Sequence, residues 1–306
     1  MTWLAWRQFR IQAALAAVMA LAVTIVLVVT RDHVAQTTDG DLSTGYKSLQ
    51  LLGTALIGAP AFVGAFWGAP LLARELEAGT HRLAWTQSVT RARWLAVKLG
   101  IASLVTIVAV VVFSAAFTWW SIPLDRFGNR IGTADFGQRG VAPVAYALFA
   151  LALGTLLGAV TRRVLPSMVA TLAGFFVVRF AFQLLVRPNL LATEVATRPS
   201  NLFGAQGATP ATNDAWVLSS HLVDGSGHAI TVRAAERAMA QACTLTRDST
   251  VADNVGCVNQ LGIHDVLRIH PADHFWTLQA LESAAFVALA LALGAMCFWW
   301  VRHRTS

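Results

Sequence analysis

The length of its apolar runs most constrains what this chain can fold into. Six runs, at about 12–30, 49–73, 95–121, 141–160, 164–186 and 277–301, are of the length a crossing helix needs, roughly 20 mostly apolar residues. None alternates polar and apolar residues with period two, which argues against a membrane β-barrel. The chain is 56% hydrophobic and only 13% charged, where soluble globular proteins carry about 25% charged residues. The expected fold is an all-α polytopic membrane protein with six transmembrane helices.

Charge gives the expected orientation. Segments 1–11, 74–98, 161–163 and 302–306 carry eleven Lys/Arg: Arg7, Arg10, Arg74, Arg82, Arg91, Arg93, Lys98, Arg162, Arg163, Arg302 and Arg304. The two short loops on the opposite side carry five: Arg31, Lys47, Arg126, Arg130 and Arg139. Basic residues gather on the cytoplasmic side, so both termini are expected there, and an even number of spans agrees. The net charge of +7 is then an inner-face excess that suits anionic lipid heads rather than nucleic acid. The first apolar core, Ala13 to Thr30, exceeds a signal-peptide h-region and lacks a small-x-small cleavage site, so it reads as a retained span.

Residues 1–11 combine Trp3, Trp6 and Phe9 with Arg7 and Arg10. At ~100° per residue Trp3, Trp6 and Arg10 lie near one another with Arg7 on the same side, which suits an interfacial helix at the headgroups. Only Thr161-Arg162-Arg163 joins the fourth and fifth spans, so they form a tight hairpin, and Pro166 falls in the first turn of the fifth. Three segments are therefore expected: 1–186 with the interfacial helix and five spans, an outer region 187–276, and 277–306 with the sixth span and a cytoplasmic tail. The outer region, opening at Arg187-Pro188-Asn189, is expected to be small and mainly helical, with a helix near 231–246. It holds Cys243 and Cys257, whose placement outside the cytoplasm permits a disulfide, while Cys297 sits in the last span.

Catalytic and nucleotide signatures are absent: no phosphate loop, no H-E-x-x-H, no G-x-S-x-G. The chain is not expected to be an enzyme or to bind a cofactor or metal itself. His270 and His274 have ligand spacing in HPADH, with Asp273 between them, but Pro271 places His270 before the helix and favours a solvated turn. Two charges inside spans are more informative. Arg179 and Glu282 lie at similar depth, about 9–10 Å below the outer boundary at 1.5 Å per residue, and are expected to pair across the fifth and sixth spans. Such a pair either locks two helices or gates a path. Gln183 and Gln279, one turn nearer the surface, extend the polar stripe. Gly64-x-x-x-Gly68 and Gly154-x-x-x-Gly158 permit close helix approach, within the chain or at a dimer face.

The segment RELEAGTHRLAWTQSVTRARWLAVK, Arg74 to Lys98, is far longer than a connector needs. Gly79 breaks the incoming helix, Thr80 caps a short amphipathic helix at about 80–89, and Thr90 caps the third span. Glu75, Glu77, Gly79, Thr80, Ser88, Thr90, Arg91 and Lys98 together resemble the second loop of type-2 ABC transporter permeases, the six-span exporter class. There an E-x-E-x-G-T stretch precedes a coupling helix, a Ser/Thr-Arg pair and a lysine. Trp6-Arg7-Gln8-Phe9-Arg10 is similar to the interfacial helix of those permeases, and the cysteine-bearing outer segment resembles an actinobacterial branch.

The resemblance implies a bacterial cell-membrane exporter. Two copies of this chain would join two copies of a separate cytosolic ATPase, which would bind the ATP and magnesium. Glu75, Glu77, Thr80, Arg82, Leu83, Trp85 and Arg91 would form the ATPase-coupling joint. A different class of protein remains open on the residues: a polytopic sensor or assembly protein whose outer region binds a ligand.

Overall fold

The computed structural model describes residues 14, 18, 21–32, 56–79, 90–126, 131, 136–200, 215–243 and 251–304. Trp3, Trp6, Arg7, Arg10, Thr80, Arg82, Leu83 and Trp85 lie outside them. The chain divides into two compact units: Met1–Leu124, Thr133–Arg187 and Thr277–Ser306 form one, Asp125–Gly132 and Pro188–Trp276 the other.

The first unit is helical. Residues 21–32 are a helix, followed by α1 (Ala59–Val63), a π-helical turn Gly64–Gly68, and α2 (Ala69–Glu77). Then come α3 (Arg91–Ser121), α4 (Ala142–Thr161) and α5 (Val164–Ala181); α5 continues through a π-helical turn Phe182–Val186 and a 3-10 turn Arg187–Asn189. Among the described residues four helices are long and apolar enough to cross a membrane: Arg91–Ser121, Ala142–Thr161, Val164–Asn189 and His274–His303.

Both widened turns have the same cause. Proline lacks an N–H and its ring crowds the carbonyl four residues back. Pro70 and Pro188 each follow a π segment, and the bonding shifts to i→i+5: Ala69 N–H donates to Gly64 O, and Arg187 N–H to Phe182 O. Such local adjustments keep backbone groups satisfied where no water can reach them.

α4 is the central helix. Two-thirds of its apolar window is buried, against less than a third in the other three. On one side Tyr146, Phe149 and Ala150 pack with Ala61, Phe175 and Phe286; further along, Leu156 and Ala159 meet Leu72, Trp94, Leu95 and Cys297. The two glycine motifs face each other here. A methyl group on Gly68 would stand 2.6 Å from the Leu151 carbonyl oxygen, and one on Gly64, Gly154 or Gly158 would be closer still to the backbone of Ala150, Gly64 or Ala69 respectively. The close approach that these motifs permit is thus used inside the chain, between α4 on one side and the Gly64–Gly68 turn with α2 on the other.

The outside of this unit is apolar. Leu165, Val169, Val177, Leu184 and Leu185 along α5 and its π-helical extension are each about two-thirds exposed or more. Burying one such side chain is worth ~1.5–3 kcal/mol relative to water, so this surface favours apolar surroundings over water.

The second unit corrects the expectation of a mainly helical outer region. It contains a four-stranded antiparallel sheet in the order β1-β4-β2-β3, formed by β1 (Glu194–Pro199), β2 (Trp216–Val223), β3 (Ala229–Ile230) and β4 (His264–His270). Two helices accompany it, α6 (Val232–Ala242), capped by the Thr231 hydroxyl on Ala234 N–H, and α7 (Val251–Gln260). Polar residues such as Ser219, Ser220 and His221 hide the strand signal in β2, whereas β4 does alternate, burying Asp265, Leu267 and Ile269. A small core of Leu222, Ala235, Met239, Cys257, Val258 and Ile263 fills the space under α6. A Cys243–Cys257 disulfide closes its edge, with Cα atoms 6.1 Å apart. α8 (His274–His303) is the last span.

Candidate functional site: a buried charge cluster and a clasped loop

Glu282 is fully buried on α8 and gathers three partners. Its Oε1 accepts from the Tyr146 hydroxyl at 2.6 Å, from Arg179 Nη1 at 3.2 Å and from Arg187 Nη2 at 3.0 Å. Its Oε2 accepts from Arg187 Nε at 2.7 Å. The Arg179 guanidinium lies 4.2 Å over the Tyr146 ring and that of Arg187 4.3 Å over Phe136. Cations gain from aromatic faces most when desolvated, as here.

The structure therefore brings Arg179 and Glu282 together, and adds a second arginine. Arg187 stands at the opening of the expected outer region in sequence, yet it is fully buried in the helical unit. In an unbroken α-helix eight residues advance by roughly 800°, leaving Arg187 ~80° off the face of Arg179. The i→i+5 turn over Phe182–Val186 winds more slowly and takes up that offset. Pro188 is the sequence signal for this shift, since it forces the widened turn.

The glutamines behave differently from expectation. Gln279 does not join the cluster: its side-chain oxygen accepts from Ala142 N–H at 2.9 Å and its nitrogen donates to Phe136 O at 2.8 Å, so the last span caps the start of α4. Gln183 Oε1 is buried without a hydrogen-bond partner, as is Arg187 Nη1. The cluster carries two guanidiniums on one carboxylate, and it ties α4, α5 with its extension, and α8 at one level.

The second polar site is the base of the Arg74–Lys98 segment. Lys98 and Glu75 form an ion pair across 23 residues, and the Lys98 ammonium lies 4.8 Å over the Trp94 ring. Both feet of the segment are thereby clasped. Glu77 turns elsewhere: its Oε2 accepts from Val164 N–H at 3.0 Å, at the first residue of α5. Gly79, at φ +69°, then redirects the chain, a conformation that glycine alone adopts freely. Thr90 caps α3 with its hydroxyl on Arg93 N–H at 3.3 Å, and Arg91 is the first residue of that helix. Across the same end, Arg162 Nη2 donates to Arg304 O at 2.9 Å.

His270 ends β4 and His274 begins α8, with their Nδ1 atoms 3.3 Å apart. His270 Nε2 faces Pro188 O at 3.1 Å, which makes that nitrogen the N–H donor. The pair is a strand-to-helix junction rather than two ligands on one helix face. Among the described residues no group of three His, Cys, Asp or Glu stands close enough to hold a metal.

A family model described as ABC-2 membrane transporter related matches residues 1–187. That stretch runs from the amino terminus through both arginines of the cluster and includes the clasped segment. No curated protein matches the chain.

Proposed function

The chain belongs to the ABC-2 membrane transporter related family, and we propose that it is the permease subunit of an ATP-driven exporter. In this reading six helices cross a bacterial cell membrane with both termini in the cytoplasm. A separate ATPase binds ATP and magnesium, so the chain itself performs no hydrolysis and holds no cofactor. Two permeases and two ATPases make the transporter, in contact with lipid and not with nucleic acid. Cargo is an amphipathic drug, antibiotic or lipid-like molecule, moved outward.

The observation that carries this reading is the clasped segment. A connector would need neither the 13 residues between Glu77 and Arg91 nor an ion pair pinning its two feet. Residues 80–89 are suited to dock in a groove of the ATPase, anchored by Leu83 and Trp85 in the way amphipathic helices fill apolar grooves. Arg82 and Thr80 flank those anchors.

Affinity purification of the tagged chain from its own host tests the reading. An ATPase subunit is expected to copurify, and Leu83→Ala with Trp85→Ala is expected to release it. A chain that purifies alone, from cells where its ATPase is expressed, is a sensor or assembly protein and the transporter reading is lost.

A further inference from the structure

Glu75 and Glu77 lie two residues apart, and at ~100° per residue they point to opposite sides of α2. Glu75 reaches α3 through Lys98, and Glu77 reaches α5 through the Val164 amide. The last turn of α2 is therefore held between the third and fifth spans.

The Glu77 contact fills a vacancy in α5. A helix start leaves four N–H groups without intrahelical partners. A side chain of the N-cap residue ordinarily takes one, but the N-cap here is Arg163, which makes no such bond. Just before it the chain turns at Arg162, which adopts a left-handed conformation at φ +55° and closes the preceding helix. Glu77 supplies the acceptor from another helix, with a full negative charge at the positive end of the α5 dipole. It sits two residues before the Gly79 swivel, where the chain leaves for the 80–89 segment. The other end of the same span carries Arg179 and Arg187 on Glu282.

We propose that Glu77 is a positioning residue that carries displacement of the 80–89 segment into the fifth span, and so to the buried cluster. The Glu75–Lys98 clasp makes the two feet of the segment move as one. The Glu77–Val164 bond is the tie by which that movement pulls on α5. This rests on the transporter reading, because it needs an ATPase to displace the segment.

The test uses the complex with its copurified ATPase in lipid nanodiscs, with spin labels at Val108→Cys on α3 and Val177→Cys on α5. Both positions are well exposed, Cys297 is buried, and Cys243 and Cys257 are bonded to each other, so the labels go where they are wanted. ATP with vanadate is expected to shift the label distance in the parent protein. Glu77→Ala is expected to lose most of that shift while ATP hydrolysis continues. Glu77→Gln keeps an acceptor oxygen and should retain most of it.

Val164→Pro removes the donor instead, at a first helical position where proline is well tolerated and after an extended Arg163 that tolerates a following proline. It should reproduce the loss with Glu77 intact. A purely structural cap predicts a lower unfolding temperature with the shift preserved in Glu77→Ala and Val164→Pro, and that result overturns the proposal. Absence of an ATPase, or of any nucleotide-dependent shift in the parent, overturns the transporter reading instead.

Discussion

Arg187 Nε donates to Glu282 Oε2 at 2.7 Å across 95 residues of sequence, and both side chains are fully buried. Among the described residues Glu282 is the one carboxylate of the cluster, and Arg179 shares it. The two arginines are therefore not equivalent to the glutamate when removed.

Glu282→Ala leaves two buried cations without a counter-charge. Breaking a buried pair by removing one partner costs ~3–5 kcal/mol, so this variant is expected to lose most of its folded yield. Arg179→Met and Arg187→Met each leave one guanidinium on one carboxylate and are expected to cost less. Thermal unfolding of the three in detergent micelles orders them, and a Glu282→Ala protein as stable as Arg187→Met contradicts the arrangement.

Gly154 faces the Gly64 backbone with no space for a side chain, whereas Gly100 on α3 has nothing within 4 Å of where a Cβ would stand. Gly154→Leu is expected to force α1 and α4 apart, at the ~1–3 kcal/mol or more of an overpacked core. Gly100→Ala is expected to gain up to ~1 kcal/mol through helix propensity. The unfolding midpoints of the two variants should move in opposite directions.

The Cys243–Cys257 bond spans 14 residues, and by the chain-entropy account a loop of that size is worth ~3 kcal/mol. A Cys243→Ser, Cys257→Ser chain is expected to exchange amide hydrogens faster in α6 and β2, while α4 and α5 stay protected. Loss of protection in the spans would show that the two units do not unfold separately.

His270 is buried, and that burial is the main reason its imidazole titrates below the ordinary histidine value. The Pro188 carbonyl opposes the shift, while His274 and Arg268 add to it; the Trp216 ring packs beside it. The unfolded chain therefore takes up this proton first as pH falls. The stabilisation is complete above about pH 6.5, the unfolded value, and is lost as pH drops through the lower folded one. Exchange protection of β4, corrected for the intrinsic rate, is expected to fall between neutral and mildly acidic pH. His270→Gln, which still donates to Pro188, should flatten that dependence.

Much of the site could be read in order of residue spacing. Arg179 and Glu282 are legible because an ionisable residue in an apolar run requires a partner, and equal depth selects it. Gly79 and Thr90 are legible because a helix stop and a helix cap are local chemistry. Arg187 escaped because α-helical phase places it on another face, and only the π turn before Pro188 brings it round. The strands of the second unit escaped because Ser219, Ser220 and His221 break the alternation that marks a half-buried strand.

The sequence by itself determined the membrane-crossing helices, since backbone burial in hydrocarbon leaves long apolar helices as the solution for runs of this kind. It also determined where the polar interruption falls and that two cysteines share the segment 187–276. Tertiary structure alone decided which groups satisfy which. Gln279 caps α4, Glu77 caps α5, Lys98 takes Glu75 and Arg187 takes Glu282. The physical reason is that these are tertiary bonds between residues 23 to 137 apart. Their geometry depends on helix phase and close approach at Gly64, Gly68, Gly154 and Gly158, and no local propensity encodes either.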